Sequence, residues 1–454
     1  MTSTDEAITR NPAAKGWRHL IAALLLSTAA AAAQAQMPQS LPGVKTTFVR
    51  LSNNTNALLT EPAQLGPKSR VVVINAHPGK VSAFEYFTGR QLVARGYRQL
   101  GVNFYGDEIT FEELLEPIAA AVRYARSLPG VQKVILVGHS GGGPELSYYA
   151  EVSEKGAAAC QQPNRLIKCD SKDAADLPKI DGLVLAEANI GAPHRTMSVD
   201  PAVDTRQPKK RNPALDMYAP QNGFDINANT ATYSADFVTR YFAAEQKRSE
   251  GLIADAQAKV RAIEAHTGPY NDDEPMIIAG MAENSMGSRL NLADGRILAQ
   301  THAAHLHLKA DGTTPIEIAH STRKPAATAV GLRDTVQETT QETTVRHYLS
   351  YLAVTTTPAY QLTKDDIKGV DWRSSANSAP GNVENVTVPT LVMAGSCTIH
   401  MVPLEITYDH SAAKDKEFVV VEGGDHSFRP CRPEFGDSQK RAFDYVDAWL
   451  AKRF

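Results

Sequence analysis

Two stretches of the chain share one rhythm, and a long middle region lacks it. From Thr46 onward, short runs of consecutive apolar, β-branched residues alternate with segments whose apolar positions recur every three or four. Thr46–Leu51 and Ala57–Thr60 read as opening strands. Val71–Ala76, Tyr97–Phe104, Val134–Val137 and Asp181–Ala186 read as strands buried on both faces, as in a parallel sheet. Helical patterns lie between them, from about Ala83 to Arg95, after the capping box Thr110-x-x-Glu113 to about Arg126, and after Gly142 to about Val152. From Ile190 the alternation stops. Four prolines (Pro201, Pro208, Pro213, Pro220) make the passage to Ser234 loop-rich. A long helix follows from about Asp236 to His266, striped by Leu252, Ala256, Val260 and Ile263. Asp294-Gly295 and Asp311-Gly312 then predict a small antiparallel meander over about Arg289–Ile318. A helix near Val345–Leu352 and a polar run to about Asn385 come next. The strand rhythm resumes at Pro389–Gly395 and Glu417–Glu422, and Ser438–Lys452 is an amphipathic terminal helix. The expected class is α/β, with a mostly parallel central sheet flanked by helices. Its core parts span 36–189 and 388–454, with an insertion at 190–387.

The strand at Val134 runs into Gly138-His-Ser140-Gly-Gly142. A serine on a sharp strand-to-helix turn sits in strained backbone, and side chains at the flanking positions would collide, which accounts for the glycines. The turn lifts the hydroxyl clear of the sheet. The backbone N–H of Gly141, at the helix start, can face a developing oxyanion. A serine hydroxyl needs an imidazole within hydrogen-bond reach and a carboxylate to hold that imidazole's tautomer. His426 is the best-placed base, in the glycine-rich loop Gly423-Gly-Asp-His426-Ser after the last strand. His139, next to Ser140 at the turn, is badly placed to reach its hydroxyl.

These residues give the chain a resemblance to the α/β-hydrolase superfamily over about Thr46–Glu187 and Val388–Phe454. It rests on Gly138-His-Ser140-Gly-Gly, on His77-Pro-Gly79 after the third strand, and on Gly424-Asp-His426-Ser. The resemblance implies the α/β-hydrolase fold with a large inserted cap, and a serine hydrolase acting through Ser140 and His426. It also implies a second oxyanion donor from the loop after the third strand. Pro78 has no N–H, which leaves Gly79 or Lys80. The family's usual acid position falls in Ser396-Cys-Thr-Ile-His-Met-Val-Pro403, which has no carboxylate. Some family esterases carry the acid at the end of the preceding strand, here Glu187. A glutamate ending an apolar strand is costly to bury without a partner, which favours it; Glu405 is the alternative. The expected reaction is hydrolysis of a carboxylic ester of a small-molecule acyl substrate, without a cofactor. Acyl transfer or carbon–carbon bond hydrolysis on the same triad, or a non-catalytic binding protein on this fold, are the competing readings.

Composition adds the setting. A formal charge of −3 gives no electrostatic case for nucleic acid or an anionic membrane. Arg10, Lys15 and Arg18 precede Leu20–Leu26, an alanine run and Ala33-Gln34-Ala35, the pattern of a secretory signal cleaved after Ala35. The apolar core is short and alanine-rich for a membrane span, so a periplasmic or secreted protein is expected, with no membrane span after signal removal. In an oxidising compartment Cys160, Cys169, Cys397 and Cys431 favour disulfides; Cys160–Cys169 would close a small loop, and Cys397 and Cys431 could clip two strand-end loops. His302, His305 and His307 are expected as exposed strand residues and not a zinc site. Tyr105, Met217, Tyr218, Phe224 and Trp372 are candidates to line a pocket. Nothing in the sequence bears on oligomeric state.

Overall fold

The computed structural model describes residues 42–52, 55–77, 86–103, 109–204, 207, 210–281, 289–327 and 340–454. The signal segment, Gly79, Lys80 and Tyr105 lie outside them. The chain divides into Met1–Val44 and Lys45–Phe454, and the architecture below is that of the second unit.

Ten strands form one sheet: β1 (Val44–Arg50), β2 (Asn56–Pro62), β3 (Val71–His77), β4 (Arg98–Asn103), β5 (Lys133–Ser140), β6 (Gly182–Ala188), β7 (Gln300–Leu308), β8 (Ile316–His320), β9 (Thr390–Gly395) and β10 (Lys416–Val421). Their order is β1-β2-β4-β3-β5-β6-β9-β10-β7-β8. Pairing from β4 through β3, β5, β6, β9 and β10 to β7 is parallel, while β2–β4 and β7–β8 are antiparallel. The labelled helices are α1 (Phe87–Val93), α2 (Leu115–Ser127), α3 (Gly142–Lys155), α4 (Ala235–Glu264), α5 (Met401–His410) and α6 (Ser438–Arg453).

Unbroken apolar runs became strands because both faces of the sheet are covered. Val72, Ile74, Val134, Leu136, Leu183 and Leu185 pack on one face with Leu115, Ile118 and Val122 of α2 and Leu146 of α3. Val71, Val73, Ile135, Val137 and Val184 pack on the other with Leu92 of α1 and Phe443, Val446 and Leu450 of α6. Each such side chain, fully buried, contributes about 1.5–3 kcal/mol. This is the mostly parallel, helix-flanked sheet expected from the sequence.

The differences fall between β6 and β9 and just after β9. Only Asp311-Gly312 turns a hairpin, β7–β8; Asp294-Gly295 follows a short helix, Arg289–Ala293. That hairpin joins the central sheet, pairing Leu306–Leu308 with Val419–Val421. The polar run before Asn385 contains an antiparallel pair, Thr356–Leu362 with Ile367–Val370. The stripe of α4 centres on buried Ile253, with Leu252 half-exposed. The turn after β9 leads into α5. Met217, Tyr218, Phe224 and Trp372 pack into one apolar cluster with Val402 and Ile406 of α5.

Candidate active site

β5 and β6 carry Ser140 and Glu187 at their carboxyl ends, side by side in the sheet. Ser140 closes β5 with φ 52°, the left-handed region that a non-glycine residue enters at a cost of order 1–3 kcal/mol. The helix α3 begins two residues later. The glycines permit this by their lack of a side chain. A Cβ on Gly142 would stand 2.1 Å from the carbonyl oxygen of Ala76, at the end of the neighbouring β3, and one on Gly138 2.7 Å from the Cα of Gly143. Gly141 is the N-cap residue of α3, so its amide lies at the start of that helix.

Glu187 repeats the device one strand over. It lies in β6 with φ 50°, and the two strand ends are stitched where Ser140 pairs with Ala188 and the amide of Asn189 donates to the Ser140 carbonyl at 2.9 Å. Its carboxylate is fully buried. Oε1 accepts from the amide of Gly395 and, at 3.2 Å, from the Thr398 hydroxyl. Oε2 lies 3.3 Å from Nδ1 of His426. Burial pushes the carboxyl above its usual range, opposed by His426, the Gly395 amide and Thr398. The last residue of β9 and the turn after it, which has no carboxylate of its own, thus supply one donor each to a carboxylate from the neighbouring strand.

His426 stands in the loop between β10 and α6, with a third of its side chain exposed. Asp425 braces the loop, its Oδ1 accepting from the amides of Ser427 and Arg429 at 2.7 and 2.9 Å. The Cys397–Cys431 disulfide ties the loop to the turn after β9, beside amide-to-carbonyl bonds from Cys397 to Gly424 and from Cys431 to Gly423. Cys160 and Cys169 form the second disulfide.

His139, set aside as a base, holds the base's loop. Its Nε2 lies 2.5 Å from the backbone carbonyl oxygen of His426 and its Nδ1 2.6 Å from the Tyr86 hydroxyl. A carbonyl only accepts, so Nε2 carries the proton and Nδ1 accepts from Tyr86. Burial drives the pKa of this ring well down, which keeps it neutral. The His139 and His426 rings lie 4.5 Å apart, which puts Ser140's chain neighbour against the candidate base.

Two further histidines, missed in the sequence, continue the row. His400 lies 4.8 Å from the His426 ring and His194 5.1 Å from His400. Both are buried, and Nδ1 of each has no hydrogen-bond partner among the described residues. Burial pushes His400 well below its ordinary pKa and His194 down to about 3. The signal for His400 was its place in the turn where the acid was sought.

Glu405 goes elsewhere. Buried in α5, it accepts from the amides of His302 and Ala303 at 2.9 and 3.0 Å and bonds the His305 ring at 2.7 Å. The exposure expected for the three meander histidines holds for His302 alone. His305 is nearly enclosed beside Glu405, and buried His307 bonds Glu317 at 2.8 Å. Strand pairing with β8 and β10 buries that part of β7, which the hairpin pattern alone did not reveal.

No protein-family model matches the chain, and no curated protein matches it in sequence. Among solved structures, the chain is similar to a hypothetical protein from Pseudomonas aeruginosa (13% identity over 92% of this chain and 99% of the other, TM-score 0.41). It is also similar to Est1E from Butyrivibrio proteoclasticus (13%, 90% and 98%, TM-score 0.35). The match to esterase B from Lactobacillus rhamnosis (16%, TM-score 0.28) takes in 40% of this chain and 60% of that one. Among the described residues no helix is long and apolar enough to cross a membrane.

Proposed function

We propose that the chain is an exported serine hydrolase that cleaves a carboxylic ester through an acyl-enzyme, with Ser140 as nucleophile, His426 as base and Glu187 as the orienting acid. The observation that carries the reading is the buried Glu187 carboxylate against Nδ1 of His426, one strand from a serine held in left-handed backbone. A carboxylate at Nδ1 fixes the tautomer in which Nε2 accepts a proton, as a serine nucleophile requires. His426 takes the Ser140 proton as the oxygen attacks the acyl carbon. The developing oxyanion is held by the Gly141 amide and a donor from Gly79 or Lys80. His426 then protonates the leaving alkoxide and activates water to release the acid. No step calls for a cofactor. An alkoxide leaves more readily than an amine, which makes an ester the natural substrate. Export fits the two disulfides, with the signal cleaved after Ala35 and the parts of 190–387 outside the β7–β8 hairpin forming a cap that sets acyl specificity.

Fluorophosphonate labelling of the folded protein tests the reading. A single adduct on Ser140, absent from Ser140→Ala, is expected, with ester hydrolysis falling several orders of magnitude in that variant. No adduct on folded wild-type protein overturns it in favour of a binding protein on this fold.

A further inference from the structure

His400 has no task in the triad described above. Oε1 of Glu187 is already held by Gly395 and Thr398, and His139, not His400, straps the His426 loop. The ring nonetheless sits enclosed between two other imidazoles, His426 and His194, with its buried Nδ1 unbonded. A buried nitrogen without a partner is costly to keep where an apolar side chain of the same shape would carry no such penalty. One ligand atom each from Glu187, His400 and His426 lies within 4.8 Å of the others.

We propose that Glu187, His400 and His426 form a site for a divalent transition-metal ion of the zinc class, and that its occupation withdraws His426 from Ser140. Two imidazoles and one carboxylate are a donor set that zinc takes with a fourth position left to water. Bonds of roughly 2.0–2.1 Å in a tetrahedron set donors about 3.3 Å apart. The arrangement therefore needs to contract, and His426, one-third exposed on a loop, is the member free to turn inward. Glu187 and His400 are fully enclosed and define the fixed side of the site. No thiol competes, because all four cysteines are paired in disulfides.

The metal would enter where Nδ1 of His426 faces Oε2 of Glu187. It takes the Nδ1 lone pair, and the proton that Nδ1 held passes through water to Nε2, so the imidazole stays neutral. Nε2 then carries a proton and can no longer accept one from Ser140. This consequence rests on the hydrolase reading; the metal site does not.

The test uses chelator-treated full-length protein, calorimetric titration with zinc chloride and the visible d–d absorption of cobalt(II) chloride. One ion per chain is expected, with affinity reduced at least tenfold in both His426→Asn and His400→Gln. His426 is one-third exposed on a loop, so its variant keeps the test open even where the buried His400→Gln disturbs folding. His302→Ala disrupts a separate imidazole–carboxylate group, His302 with Glu405 and Asp409, and should leave the stoichiometry at one. No binding by wild type, or undiminished binding in both site variants, overturns the site. Fluorophosphonate labelling of Ser140 should slow in step with zinc occupancy and recover with chelator, and the labelling that remains in His400→Gln should ignore zinc. Cobalt bound with labelling unaffected overturns the inhibition. Cobalt bound with no labelling even in metal-free protein upholds the site and rejects the hydrolase reading.

Discussion

At the scale of single residues, the two carboxylates considered for the acid are separated by what they touch. Glu187 presents one oxygen to His426 and has the other fixed by a backbone amide and a hydroxyl. Glu405 spends both oxygens on β7. Glu187→Gln keeps the shape but sets an amide against Nδ1, which favours the wrong tautomer; kcat should fall about 10⁴-fold. Glu405→Gln should leave kcat within a few-fold and show instead in thermal stability. Steady-state kinetics on both variants decides, and a reversed ranking would move the acid to Glu405. Thr398 gives a finer test. Its hydroxyl favours the ionised form of Glu187, against the burial that raises the pKa. Thr398→Val removes that bond, so the carboxyl holds its proton to higher pH. The acid limb of kcat/KM should move upward while the alkaline limb stays. Because Glu187 and His426 are coupled, the shift belongs to the pair. Ser140 and His426 stood out as candidates in the sequence because a glycine-flanked serine after an apolar run and a histidine in a late glycine-rich loop are local patterns. The bracing by His139, Tyr86 and Thr398 was not, since it depends on which strand ends lie side by side.

Among the elements, the strands buried on two faces announced themselves, whereas the helix α5, buried around its whole circumference, did not. Met401–Thr407 of α5 is buried throughout, so it has no polar face from which a period of 3.6 could be read. The Thr356–Leu362 strand fails differently, with three consecutive exposed residues that break the period of two. The loop bearing His426 is short of regular structure and depends on its staples. Cys397–Cys431 spans a sequence separation of 34 and Cys160–Cys169 one of 9. By chain entropy, the first constrains the unfolded chain by about 1 kcal/mol more than the second. The larger difference is expected in function. The double variant Cys397→Ala/Cys431→Ala should label with fluorophosphonate at least tenfold more slowly while still folded by circular dichroism. Cys160→Ala/Cys169→Ala should label at the wild-type rate. Equal labelling in both would mean that hydrogen bonds alone position the His426 loop.

For the whole molecule, the alternation of strands and helices gave the parallel sheet and its crossovers, but a hairpin pattern does not say which sheet it will join. The β7–β8 hairpin, read from sequence as part of the insertion, covers the edge of β10 with parallel pairing from Leu306 to Leu308. The insertion's apolar cluster also closes over Val402 and Ile406 of α5, the helix that follows the turn holding Glu187. Residues 190–387 are therefore continuous with the framework of the site in two places. Replacing them by a short linker would expose the edge of a buried, β-branched strand, a template for association with other chains. It would also strip the cover from α5. The expected product is insoluble or aggregated protein that fails to label at Ser140, judged by size-exclusion chromatography and fluorophosphonate labelling. A separately folded cap predicts the opposite: a smaller, soluble protein that labels as wild type does and loses only its acyl-chain preference. Keeping β7 and β8 while deleting 197–288 would leave the edge covered, and that version should recover solubility before it recovers labelling.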